Sequence, residues 1–194
     1  NRSSGKMGYA LAGAARRRGA DVSLVSGPTS QKKPVGVTFC SVKTTEEMKQ
    51  AVFEIRQQCN VIIKAAAVSD FRPREKADHK IKKGDESQTL ELVRNPDILA
   101  ELGSAKGDSR CFLVGFAAET EDLSTNAMEK LRRKNLDMII ANDVSREDAG
   151  FESDTNLVKI LYRDGHIEDL PLMTKEEVSD QILDRIKELW EKGK

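Results

Sequence analysis

The chain has little with which to do nucleophilic or metal chemistry. Its 194 residues hold two histidines, His79 and His166, and three cysteines, Cys40, Cys59 and Cys111. The cysteines are odd in number, far apart and in no CxxC pair. That spacing argues against a disulfide framework or a zinc site and fits a reducing cytosol. A catalytic thiol needs a partner base, and both histidines read as exposed loop residues, so core packing is the reading for the cysteines. Net charge is also absent, because 32 basic residues balance 32 acidic ones. A general nucleic-acid binder normally needs a basic excess. No apolar run approaches the ~20 residues of a membrane span, and no signal-peptide pattern occurs. Two familiar phosphate loops are missing as well. There is no GxGxxG, and SSGKMG is not a Walker A loop, since Met7 follows the Gly-Lys pair and the upstream Gly is absent.

What is present alternates. The length favours a single domain spanning residues 1–194. Met7, Ala10, Leu11 and Ala14 lie at helical spacing between Lys6 and Arg18, and Gly19 supplies a stop. DVSLVSG and PVGVTFCSV read as strands. TTEEMKQAVFEIRQQC reads as a helix with a Thr cap and a Glu three residues on. VIIKAAAVSD is a strand that runs into small residues. The polar stretch from Phe71 to Gln88 follows, long enough to be functional or mobile. TLELVR pairs with KIKK across GDES in this reading, as a β-hairpin excursion. NPDILAEL starts a helix with Asn95 as cap and Pro96 at its first position. CFLVGFAAET, then a helix over TEDLSTNAMEKLRRKNL, then the strand DMIIAND complete the alternation. NLVKILYRDGHIEDLPL is a hairpin with an Asp-Gly turn, and EEVSDQILDRIKELWEK a final amphipathic helix. The pattern predicts an α/β fold with a parallel sheet and helices on its faces.

In such sheets ligands bind beyond the carboxyl ends of the strands, near helix N-termini. AAAVSD, NPDI, GFAAET and AND all fall there, and SSGKMG opens the first helix. Small residues at strand ends admit a ligand close to the backbone. Ser3, Ser4 and Gly5 suit an anion-holding turn. Cations for phosphate are Lys6, Lys80, Lys82, Lys83, Lys130 and Lys134. KIKK equally fits a charged edge that blunts strand pairing, and the basic run around Lys130 fits a helix C-terminus. Asp70 and Asp97 suit ribose or metal contact, and Glu119 a ligand or helix-start role. A lone carboxylate near phosphate holds Mg²⁺ through waters rather than in a closed cage.

NRSSGKMG, LVSGP, AAAVSDFRP, KIKK, VRNPDI, VGFAAET, KLRRKNLD, ANDVS and GFESDTN occur in this order. This set resembles the phosphopantothenate–cysteine ligase (phosphopantothenoylcysteine synthetase) domain of coenzyme A biosynthesis. The match runs from Asn1 to about Asn156 and more loosely to the end. The resemblance implies a Rossmann-like fold, a cytoplasmic homodimer, and a flavin-dependent decarboxylase domain fused upstream in bacteria. It implies a two-step ligation of 4'-phosphopantothenate with L-cysteine. The carboxylate attacks the α-phosphorus of a nucleoside triphosphate, CTP more than ATP, with Mg²⁺. Pyrophosphate leaves, and cysteine then displaces the nucleotide monophosphate. Such a reaction needs positioning and charge neutralisation more than a covalent nucleophile.

By position, the resemblance assigns Asn1 to the acyl group of the intermediate and Lys80 to the phosphates, from a mobile loop. It assigns nucleotide contacts to Lys64, Ala65, Ala66 and Asp70, and Asp70 is also the expected metal contact. Pro96, Asp97, Ile98 and Leu99 form the matching helix-start segment, and Phe116, Lys130 and Lys134 are further nucleotide contacts. Family members begin with a strand and a glycine-rich segment that precede Asn1. A central strand is therefore expected to be missing from this truncated sheet. Two other functions compete: a Rossmann-type nucleotide-dependent oxidoreductase, and a non-enzymatic nucleotide-binding module using the basic loop.

Overall fold

The computed structural model describes residues 3–75, 79, 89–107, 111–119, 122–143 and 153–192. Helix α1 (Lys6–Arg17) comes first, preceded by Gly5 at φ +76. That left-handed turn needs glycine, and a Cβ there would also meet Thr29 Oγ1 at 3.0 Å. Strands β1 (Ser23–Ser26) and β2 (Thr38–Ser41) pair in parallel. Helix α2 (Thr45–Ile55) has the expected cap, since Thr44 accepts from Glu47 N at 3.1 Å.

Strand β3 (Val61–Lys64) leads out of the sheet into a hairpin of β4 (Phe71–Pro73) and β5 (Leu92–Arg94). Helix α3 (Ile98–Ser104), strand β6 (Phe112–Glu119), helix α4 (Leu123–Arg133) and strand β7 (Met138–Asp143) follow. The chain continues through β8 (Thr155–Asn156), β9 (Val158–Tyr162), β10 (Ile167–Asp169), β11 (Met173–Thr174) and α5 (Lys175–Lys192).

The sheet has five strands in the order β10-β9-β7-β6-β3. It is mixed, which corrects the parallel-sheet expectation. β3, β6 and β7 are parallel, while β9 runs antiparallel to β7 and β10 to β9. Parallel pairing needs a crossover helix, and the sequence has none between DMIIAND and NLVKILY. The Asp-Gly turn forms as expected, with Gly165 at φ +96. The parallel β1–β2 pair stands apart from the five strands.

Alternation along the strands gives each sheet face its own core. One face packs Leu113, Ala117, Ile139 and Leu161 against Met48 of α2, Leu99 of α3 and Leu131 of α4. The other packs Val114, Met138, Ile140 and Val158 against Leu11 of α1 and Val178, Ile182 and Ile186 of α5. Helices on both faces are thus borne out.

One local expectation is corrected and another falls on residues that are not described. TLELVR pairs with Phe71–Pro73, placing Phe71 opposite Arg94. Strand pairing there follows directly from the extended exit of β3. KIKK and its GDES turn lie outside the described residues. Helix α3 is capped by Asp97, which accepts from Ala100 N at 3.1 Å. Asn95 does other work: it donates from its backbone to Asp70 O at 2.8 Å and from Nδ2 to Ser69 O at 2.8 Å, and it accepts from Arg72 at 3.1 Å. A carboxylate suits a cap better electrostatically, and the bond to Ser69 O needs the N–H donor that an amide has and a carboxylate lacks.

Candidate active site

At the carboxyl end of β3 the chain leaves the sheet through Ala65 and Ala66. Lys64 turns toward the α3–α4 face, and its Nζ donates to Ala66 O at 3.0 Å. Burial pushes the Lys64 ammonium below its ordinary pKa. Lys134 adds to that, and Asp97 and Asp70 partly offset it. Lys64, Lys134, Asp97 and Asp70 are therefore one electrostatic group.

Lys134 Nζ lies 2.8 Å from Asp97 Oδ2. Burial opposes ionisation of Asp97, but the hydrogen bonds from Lys134 and Ala100 N outweigh it and hold its pKa below the usual carboxylate range. Asp97 is thus engaged twice, as helix cap and as counter-ion. The sequence had offered it for ribose or metal. Pro96 and Asp97 lead directly into α3, and Ile98 and Leu99 are buried beneath them in the core. Lys130 sits one turn before Lys134 in α4.

The structure thus brings Lys64, Ala66, Asp70, Asp97 and Lys134 together on one face. Lys64 and Lys134 are matched in formal charge by Asp70 and Asp97, so the group offers ammonium donors without a net positive charge. Asp70 is an exposed single carboxylate, and among the described residues no three His, Cys, Asp or Glu gather as a metal cage.

The remaining candidates lie on the opposite face. Ala65, Phe116 and Met7 pack against the α1–α5 core, and Gly8 faces Ala65. In front of α1, Ser3 Oγ accepts from Gly5 N and Ser4 Oγ from Lys6 N, both at 3.4 Å. Thr29 donates to Ser4 O at 2.7 Å and ties the turn to the following loop. Tyr9 N makes the first helical bond, to Gly5 O at 3.1 Å. The Met7 and Gly8 amides ahead of it are the donors a helix start offers. Lys6 turns away from them to Asp154, 2.6 Å from its Oδ1, and lines a cleft of about 500 Å³ with Arg17, Lys32 and Lys175. Asn1 and Lys80 lie outside the described residues.

Two polar residues that the sequence motifs gave no side-chain role, Asn142 and Asn156, matter here, and Asn95 does work other than the cap expected of it. Asn95 latches the small-residue segment to the hairpin. Asn142 and Asn156 are buried at 6% and 3% exposure. The available hint was a lone Asn bordering each apolar run.

Comparison with known proteins gives the frame for this arrangement. Residues 1–189 match the family model described as the DNA/pantothenate metabolism flavoprotein C-terminal domain. The chain belongs to that family. It is 50% identical over 187 residues to the coenzyme A biosynthesis bifunctional protein CoaBC of Bacillus subtilis, covering 96% of this chain and 46% of that protein. The Escherichia coli CoaBC is 48% identical over 190 residues, with 96% and 46% covered. The chain spans about half the length of these curated relatives. A crystal structure of the C-terminal domain of CoaBC superposes with a TM-score of 0.82 at 41% identity, covering 99% of this chain and 86% of that one. A Streptococcus pneumoniae DNA/pantothenate metabolism flavoprotein shares the fold, with a TM-score of 0.81 at 24% identity over 97% of this chain and 90% of that one.

Proposed function

We propose that this chain is a phosphopantothenate–cysteine ligase unit. It joins 4'-phosphopantothenate to L-cysteine at the expense of a nucleoside triphosphate, with CTP favoured over ATP. The observation that carries the reading is the convergence of Lys64 and Lys134 at the end of β3, set across the sheet from the open start of α1. The family membership and the ordered motifs support it.

On this reading the two faces divide the work. The ammonium donors of Lys64, Lys134 and Lys130 take the nucleotide, with Ala65, Ala66 and the Pro96–Leu99 segment offering backbone close to it. Lys80 neutralises the charge that develops when the substrate carboxylate attacks the α-phosphorus and pyrophosphate departs. The turn at Ser3, Ser4 and Gly5 supplies further donors. The amide of Asn1 donates to the acyl oxygen and holds the mixed anhydride while the cysteine amine attacks and the monophosphate leaves. Mg²⁺, when bound, would neutralise phosphate charge, and Asp70 is the carboxylate that would hold it through water. Phe116 bounds the site on the α1 side. The chain acts as a homodimer in this reading. The exposed hairpin side chains Phe71 and Leu92, at 50% and 53% exposure, are the surface that supports it. A flavin-dependent decarboxylase domain is the expected fused partner.

The test is pyrophosphate release with CTP and with ATP, each with and without phosphopantothenate. Release that needs phosphopantothenate and slows about 10²-fold in Lys80→Gln, about 2.7 kcal/mol of barrier, fits the proposal. Release that ignores the acyl substrate refutes it. Changing Asn1 to Asp should spare pyrophosphate release more than product formation, so that acyl nucleotide accumulates.

A further inference from the structure

Asn156 Oδ1 is buried and accepts no hydrogen bond among the described residues. Its backbone belongs to β8, opposite Met173 of β11, so strand pairing does not use the side chain. Its Nδ2 lies 3.6 Å from Met7 Sδ, a weak acceptor. Turning the amide over does not remove the problem. It sets oxygen against sulfur and leaves the N–H groups unmet instead. Buried polar atoms in native proteins are normally satisfied, and an exception calls for a reason.

The position supplies one. Met7 is in the first turn of α1, next to Gly8, which faces Ala65 at the end of β3. Val158, two residues beyond Asn156, pairs with Asn142 at the end of β7. Asn156 therefore sits where the ends of β3 and β7 meet the start of α1. Lys64 and Lys134 lie on the other face, while on this one Lys6 pairs with Asp154 and Lys175 donates to the Ser153 and Thr155 carbonyls just before Asn156. With those cations already engaged, the Asn156 amide oxygen beside Met7 suits a neutral hydrogen-bond donor.

We propose that Asn156 is a substrate-positioning residue whose Oδ1 accepts a hydrogen bond from a hydroxyl or amide N–H on the uncharged arm of the acyl substrate. This rests on the ligase reading above. Ligand binding then supplies the partner that the folded chain leaves out.

The experiment is steady-state kinetics and thermal melting of Asn156→Leu in the intact protein. Leucine keeps the volume and removes the unmet polar atoms. The KM for phosphopantothenate should rise about tenfold, the KM for the nucleotide should stay within twofold, and Tm should be equal or higher. A phosphopantothenate KM within twofold of wild type overturns the proposal, as does a parallel rise in both constants. Should Asn156→Leu fail to fold, the wild type is assayed with two substrate analogues, one lacking the hydroxyl and one N-methylated at the amide. About tenfold weaker use of either supports the proposal, and full use of both overturns it. Failure of the wild type to release pyrophosphate with phosphopantothenate and any nucleotide refutes the ligase reading and this inference together. An active wild type with an unchanged leucine variant refutes the inference alone.

Discussion

A Cβ built on Gly103 would fall 1.8 Å from the Lys134 carbonyl oxygen. The two backbones touch because the last turn of α3 abuts the end of α4. Asn135, at φ 51, follows Lys134 and donates from Nδ2 to Gly103 O at 2.9 Å. This contact delivers Lys134 to Asp97 at the other end of α3. Gly103→Ala is therefore expected to cost about 3 kcal/mol, since backbone must move, and to raise the KM for the nucleotide. Gly13→Ala is the contrast. A Cβ there meets only Arg17 and Pro34, at 3.5 and 4.0 Å, so α1 should gain about 0.5–1 kcal/mol. Urea midpoints of the two variants check both, and equal midpoints would contradict the argument.

Asp97 makes acid stability specific. Its folded pKa is held below the usual carboxylate range. Between that value and the unfolded ~3.9, the unfolded chain binds more protons, so stability rises with pH. The contribution is complete above the unfolded pKa and disappears as pH falls through the folded one. Asp97→Asn retains a cap but should flatten this limb of the curve. Denaturant midpoints between pH 2 and 6, in low salt, would show it (pH values about the carboxylate range). An unchanged limb would mean that other carboxylates carry it.

Lys64 gives a slope of the same sign for a different reason. Burial disfavours its charge, so the folded state binds fewer protons than the unfolded one between the lowered and the ordinary pKa. Stability contributed by this group rises with pH over that window. Lys64→Met should remove the slope and leave stability at neutral pH within about 1 kcal/mol, because a buried ammonium and its lost hydrogen bond nearly offset. Nucleotide binding should weaken about tenfold or more, roughly 1.4 kcal/mol. A large loss of stability at neutral pH with unchanged nucleotide affinity, read by calorimetry, would reverse the assignment.

The sheet edges give a further expectation. β3 pairs only with β6, and β1 only with β2, among the described residues. Val25 of β1 and Ile62 of β3 nevertheless pack against the same core. A strand between them would join the two sheets. Lengthening the chain upstream of Asn1 by about 25 residues of the family's strand and loop is expected to raise Tm and to protect β1 and β3 amides from exchange. Unchanged exchange at both strands would leave the gap without a strand.

Much of this molecule is written locally. The Thr44–Glu47 cap, the Asp-Gly turn at 164–165, the 3.6-residue pattern of α1 and α5, and the small residues after β3 and in β6 are decided by neighbours in sequence. Backbone torsion, side-chain reach and helical period act over a few residues, so they are legible without a fold. The ordered motifs also determined the family and most of the candidate residues. Tertiary structure alone decided the rest. That the sheet is mixed, that Phe71–Pro73 pairs with β5, and that Asp97 caps α3 while Asn95 latches Ser69 depend on partners up to 26 residues away. The division of site residues between two faces depends on strand alternation in an assembled sheet. The approach of Gly103 to Lys134 and the unmet oxygen of Asn156 depend on how helices settle on that sheet. Such contacts are set by packing between segments distant in the chain, and sequence spacing holds no record of their distance.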